Sequence, residues 1–262
     1  MNRRLFLEYG TLLSGLLLSP LAKSNAVKSP AAMKTVGLIG GTSWYSTIDY
    51  YRIINELTNQ RLGEKINPPL LLTNLNQAHI HNLQALEDWK GIAEIYIKHA
   101  KKLITIGADA VVFCARSPQK IADQVQEAII KPILHIADAT AEEIKKGDMK
   151  LVGLVGTRFT MTENFFVERL RNYGIETKIP NAKGIEILHN LVINQLANGV
   201  FTKESRQTLL TEITKLTDAK VEGIILACTE FPIILKQTDC SYPIFDTTTI
   251  HCNYIVDFII SA

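Results

Sequence analysis

The chain has 262 residues, 47% hydrophobic and 21% charged, enough to bury the core of one large domain or two small α/β lobes. A formal charge of +2, with no basic run interleaved with aromatics, gives no footing for a nucleic-acid partner. Four irregularly spaced cysteines without a C-x-x-C pair argue against a disulfide framework and against zinc or thioredoxin-type chemistry.

The first segment stands apart. Arg3-Arg4 precede Leu5-Phe6-Leu7, an apolar stretch runs from Gly10 to Leu21, and Ser24-Asn25-Ala26 follow. This is the pattern of a basic n-region, an h-region too short to span a bilayer, and a small-residue cleavage site. Arg-Arg-x-Phe-Leu also matches a twin-arginine export signal. The expectation is export to the periplasm, with no stable membrane anchor after processing. The alternative is a cytoplasmic protein translated from Met33. Residues 1–33 are set apart as signal and linker.

From Thr35 the chain alternates strand and helix. Thr35–Thr42 is a strand closed by Gly40-Gly41, followed by a helix pattern over Ile48–Arg61. A strand over Pro68–Asn74, a helix over Asp88–Ile106, a strand over Ala110–Cys114 and a helix over Lys120–Ile130 come next. Pro132–Ile136 reads as a fourth strand and Ala137–Lys146 as its helix. Such alternation predicts an α/β fold with parallel sheets covered by helices on both faces.

The order then restarts. Val152-Gly153-Leu154-Val155-Gly156-Thr157 repeats the pattern of Val36-Gly37-Leu38-Ile39-Gly40-Gly41-Thr42. A helix over Thr162–Tyr173, a strand near Glu176–Ile179, helices over Gly184–Asn198 and Lys203–Thr217, and a strand ending at Cys228 follow. Pro243-Ile244-Phe245-Asp246 echoes Pro132-Ile133-Leu134-His135. Val36 to Cys114 is 78 residues and Val152 to Cys228 is 76. The recurrence predicts an internal duplication: a first lobe over 34–135, completed by 243–262, and a second over 136–242. A cleft between them would place Cys114 and Cys228 on opposite walls.

Two facing thiols can serve as acid and base. A thiol of ordinary pKa ~8.5 is tunable by its surroundings, so one can take a proton from a carbon acid while the other returns one to the opposite face. The glycine turns leading to Thr42 and Thr157 open helix N-termini, where backbone N–H groups favour a carboxylate. His79-x-His81 lacks a third ligand at metal spacing and reads as a pair of loop or edge histidines. His189 and His251 read as packing or capping residues, and Cys240 and Cys252 as packing.

At these residues the chain resembles the aspartate/glutamate racemase family, cofactor-independent amino-acid racemases that use two cysteines. The resemblance runs from about Lys34 to the C-terminus. It rests on Gly40-Gly41-Thr42-Ser43-Trp44, Tyr50-Tyr51-Arg52, His135-Ile136-Ala137-Asp138-Ala139-Thr140, Gly156-Thr157-Arg158-Phe159-Thr160-Met161, Cys228-Thr229-Glu230 and Phe245-Asp246-Thr247-Thr248 with His251. It implies two flavodoxin-like lobes, often a dimer, a small amino-acid substrate and no pyridoxal phosphate. Carried over, Cys114 and Cys228 are the acid–base pair. Thr42, Arg116, Ser117, Thr157, Thr160 and Thr229 bind substrate, and Glu230 assists.

The chain departs from the pattern after the first cysteine. Where the family usually has x-Asn-Thr-x-His, Cys114 is followed by Ala115-Arg116-Ser117-Pro118-Gln119, and Tyr45 replaces a Glu. Arg116 either grips a carboxylate bidentately or fills the pocket. Two other readings stay open. One is an exported two-lobed amino-acid-binding protein that has lost turnover; the other is a related isomerase or decarboxylase.

Overall fold

A computed structural model describes residues 33–261. Apart from Met33, the leader expected over 1–33 lies outside them. Among the described residues, seven strands form two parallel sheets. The first contains β1 (Val36–Gly40), β2 (Leu70–Asn74) and β3 (Ala110–Phe113) in the order β2-β1-β3. The second contains β4 (Leu151–Gly156), β5 (Glu176–Lys178), β6 (Gly223–Ala227) and β7 (Ile244–Asp246) in the order β5-β4-β6-β7. Strands β1, β3 and β6 are buried along their whole length. This is the expected state of a parallel strand covered on both faces, and it is why they read as unbroken apolar runs.

The helices are α1 (Trp44–Leu62), α2 (Gln77–Ala85), α3 (Trp89–Thr105), α4 (Ala122–Glu127), α5 (Ile136–Lys145) and α6 (Arg158–Thr162). After these come α7 (Asn164–Asn172), α8 (Ala182–Asn194), α9 (Lys203–Thr217), α10 (Phe231–Ile234) and α11 (Thr247–Ile260). No helix among the described residues is long and apolar enough to cross a membrane.

Strand alternation sorts the core into two faces per sheet. In the first, Ile39, Val111 and Phe113 pack on α3, while Val36, Leu38, Ala110, Val112 and Cys114 pack on α1 and α11. In the second, Val155, Ile224, Leu226 and Cys228 pack on α8 and α9, while Val152, Leu154, Ile225 and Ala227 pack on α5 and α7. The lobes exchange helices. α5 follows the first sheet but covers the second, and α11 follows β7 of the second but covers the first. Each lobe's core is closed by a helix from the other's strand, so the two halves cannot be pulled apart without exposing both cores.

The structure departs from the sequence expectations in several places. Pro132–Ile136 is not a full strand. It makes one parallel bridge, Ile133 to Val111, and His135 then caps α5 by accepting the Ala137 N–H through Nδ1 at 3.1 Å. Pro132 has no N–H to give a ladder, and the cap turns the chain at once. Strand β7 pairs with β6, so residues 244–246 belong to the second sheet rather than to the first lobe. His79 and His81 lie on helix α2, not in a loop or on an edge. The segment 117–130 is a 3-10 turn followed by the short α4, and 158–172 breaks into α6 and α7.

Candidate active site

A cavity of about 720 Å³ opens between the lobes at the C-terminal ends of the strands. Ligands bind at this edge in open α/β sheets. The first wall begins where β1 ends. Gly41 has φ +90°, and a Cβ there would strike the backbone of Leu75, so the turn requires glycine. Its N–H donates to Thr47 Oγ1 at 3.0 Å. Ser43 caps α1, and Thr42 shares a 2.7 Å hydrogen bond with the Tyr96 hydroxyl. On the second wall, Thr157 precedes α6, and its hydroxyl lies 3.3 Å from that of Thr160.

Of the residues singled out in the sequence, Thr42, Arg116, Ser117, Thr157, Thr160, Cys228, Thr229 and Glu230 all line this cavity; Cys114 does not. The reason is register. In the first sheet Ile39 of β1 pairs with Phe113; in the second, its counterpart Val155 pairs with Leu226. Counting on from these pairs, Cys114 corresponds to Ala227, and Ala115 corresponds to Cys228. A slip of one residue turns a strand's side chain to the other face. Cys114 is 1% exposed and packs with Val112, Tyr50 and Cys252 beneath α11, whereas Cys228 lines the cavity across from the wall that holds Ala115. The expected placement of both thiols on opposite walls is therefore corrected.

Cys228 donates from Sγ to Glu230 Oε2 at 2.8 Å, and Thr229 Oγ1 donates to the same oxygen at 2.9 Å. Burial pushes the Cys228 thiol up, the Glu230 carboxylate adds to that, and the Arg116 charge opposes it. Burial alone raises Cys114. Cys228 thus rests as a thiol with a proton acceptor in contact.

Arg116 donates from Nη2 to Thr247 Oγ1 at 2.7 Å and to Thr248 Oγ1 at 3.3 Å, while its buried Nε has no partner. The other lining cation outside the histidines, Lys120, is paired with Glu163 at 2.7 Å. Arg116 is thus the one Arg or Lys of the lining without a carboxylate partner among the described residues. Ser117 Oγ accepts from Gln84 Nε2 at 2.7 Å. Gln119, at the family's His position, is buried and donates to the carbonyls of Phe113 and Ala115, both at 3.2 Å. It fixes the backbone on both sides of Cys114. Tyr45 is 64% exposed, stacked on Trp44 away from the cavity.

Sequence reasoning missed several wall residues. His81 on α2 and His189 on α8 both line the cavity. His81 Nε2 donates to the Thr42 carbonyl at 2.9 Å, and His189 Nδ1 is buried without a partner. The duplication held a clue, because α2 follows β2 as α8 follows β5. Across the mouth, Trp89 stacks on Phe159 with centroids 5.4 Å apart, and Lys120 Nζ sits 4.6 Å from the Trp89 centroid. No cluster of three or more His, Cys, Asp or Glu suited to a metal ion occurs among the described residues.

The Asp/Glu/Hydantoin racemase family model matches residues 39–255. The chain belongs to this family. Racemases are isomerases, and the two-sheet α/β fold is shared with solved relatives. A Yersinia pestis protein described as a candidate Asp/Glu racemase is 38% identical, with a TM-score of 0.85, covering 87% of this chain and 100% of that one. An aspartate racemase homologue from Pyrococcus horikoshii OT3 is 33% identical with a TM-score of 0.80, over 87% and 100%. The glutamate racemase of Hydrogenobaculum sp. (strain Y04AAS1) is 29% identical over 57% of this chain and 58% of its own length. The broad specificity amino-acid racemase RacX of Bacillus subtilis is 27% identical over 58% and 65%. The matches thus span about three-fifths of these two curated relatives.

Proposed function

We propose that the cleft binds a free amino acid and that the chain works as an amino-acid racemase-family enzyme on its α-proton, with Cys228 as the group that exchanges it. The observation that carries this reading is the Cys228–Glu230 contact of 2.8 Å at the wall of a cavity holding one Arg without a carboxylate partner. The α-carboxylate would sit on Arg116, whose planar fork suits it, aided by the hydroxyls of Thr42, Ser117, Thr157, Thr160 and Thr229. Binding brings an acidified C–H beside Cys228. The thiol passes its proton to Glu230, the thiolate takes the α-proton, and the carbanion is held by Arg116.

Incubation in heavy water with each enantiomer of aspartate, glutamate, methionine and lysine tests this, with mass and proton spectra read for deuterium at the α-carbon. Deuterium in at least one is expected; none in any of them overturns the reading. The relatives named for glutamate and for broad specificity support amino acids as the substrate class. The two-thiol scheme would need Cys114 to leave the core beneath α11.

A second reading is favoured by the same burial. An exported binding protein would keep the cleft and Arg116 while its thiol stays protonated. Calorimetric binding of an amino acid with no exchange would mark it.

A further inference from the structure

We propose that proton transfer in this cleft is one-sided: Cys228 removes and returns the α-proton on a single face, and Ala115 leaves the opposite face without an acid–base group. The inference rests on the reading of Cys228 as the exchanging group.

Its basis is the strand register. Phe113 and Leu226 hold matching positions in the two sheets, which makes Ala115 the counterpart of Cys228. Both line the cavity, from opposite lobes. The methyl of Ala115 can neither take nor give a proton. Cys114, one residue earlier, is turned into the core with Tyr50 and Cys252, and the side chain of Gln119 ties down the carbonyls of Phe113 and Ala115 around it. A rotation of Cys114 into the cleft would break those bonds and empty a packed position, which is costly in an interior of this density. The neighbouring protic groups on that wall are not register counterparts of Cys228: Thr42 bonds to Tyr96, Ser117 accepts from Gln84, and His81 is held through Nε2 at the Thr42 carbonyl.

The proton balance is closed without any co-reactant. The Cys228 thiol gives its proton to the Glu230 carboxylate, and the thiolate takes the α-proton to become a thiol again. That thiol exchanges its proton with solvent through Glu230 and returns a solvent proton to the same face of the carbanion. The carbon regains its original configuration. In heavy water the product is an α-deuterated amino acid of unchanged hand.

The test follows both label and chirality in heavy water, for both enantiomers of the panel above. The expected result is deuterium in one enantiomer with retention, and inversion at least about a hundredfold slower than exchange. Inversion at the rate of exchange overturns the inference while leaving the reading of Cys228 intact. Exchange that is absent for every substrate, or unaltered in Cys228→Ser, overturns that reading and the inference with it.

Ala115→Cys is the second arm. A thiol placed there faces Cys228, so the variant is expected to gain inversion by tenfold or more over the parent at similar exchange. If a folded Ala115→Cys protein, with the same circular dichroism and both thiols titratable, shows no gain, Ala115 is not the missing group and the inference fails.

Discussion

Cys228 Sγ lies 2.8 Å from Glu230 Oε2, two residues along the same chain. The carboxylate accepts the thiol proton and at the same time discourages the thiolate, so the pair stores one proton at the cavity wall. Removing the charge frees the thiol to ionise. We expect Glu230→Gln to move the rise of Cys228 alkylation with pH downward by ~1 unit. Peptide mass spectrometry after brief iodoacetamide treatment from pH 6 to 10 measures it, and coincident profiles would show that Glu230 does not set the thiol's state.

The mouth of the cleft is bridged by Lys120 of the first lobe and Glu163 of the second, with Lys120 lying over Trp89 as Trp89 stacks on Phe159. Both charged side chains are about one-third exposed, at 30% and 36%. Water therefore screens the pair, and Lys120→Met should change unfolding free energy by less than about 1 kcal/mol. Access is where the change should appear. We expect Cys228 in Lys120→Met to be alkylated several-fold faster at one pH, and equal rates would remove the bridge as a barrier to entry.

His251 joins three elements beneath the site. Its Nε2 donates to the Leu134 carbonyl at 2.8 Å, and its Nδ1 accepts from the Tyr50 hydroxyl at 2.8 Å. Burial, with a smaller contribution from Arg116, lowers its pKa from 6.5 to about 4. The neutral form is the one that fits, so the contribution to stability is complete above pH 6.5. As pH falls from 6.5 towards 4 the unfolded chain gains a proton that the folded chain refuses, and stability drops by ~1.4 kcal/mol per unit, about 3 kcal/mol in all. Urea titrations at pH 7, 5.5 and 4.5 should show a shallower loss in His251→Gln than in the parent. Equal slopes would mean that His251 is not the titrating group.

Much of the fold is legible because its local and global preferences agree. The apolar runs ending at Gly40, Phe113, Gly156 and Ala227 are buried parallel strands, and the repeated glycine turns announce the duplication. Helix α2 is hidden because only Ile80 of its nine residues is buried, so the segment Gln77–Ala85 carries no apolar stripe. The pairing of Pro132–Ile136 is equally opaque, since its cap at His135 and its single bridge depend on tertiary context.

The site divides in the same way. Cys228-Thr229-Glu230 is a local device, with its side-chain hydrogen bonds to Glu230 made within three residues, and is readable as such. Arg116 finds its partner Thr247 131 residues away, across the helix exchange between lobes. The intervals that pair Cys114 with Cys228 differ by two residues, 78 against 76, and a single position of strand register decides which face a side chain takes. No spacing argument resolves one residue. Hydrogen bonding of the strands does.

The central claim is that Cys228, and not Cys114, carries the α-proton. It is tested most directly by the rate of α-hydrogen exchange in heavy water for the parent, Cys228→Ser and Cys114→Ser with the same amino acid. The account predicts a loss of about 10²–10⁴-fold in Cys228→Ser, and a rate in Cys114→Ser within a few-fold of the parent. A loss in a folded Cys114→Ser as large as that in Cys228→Ser would contradict it.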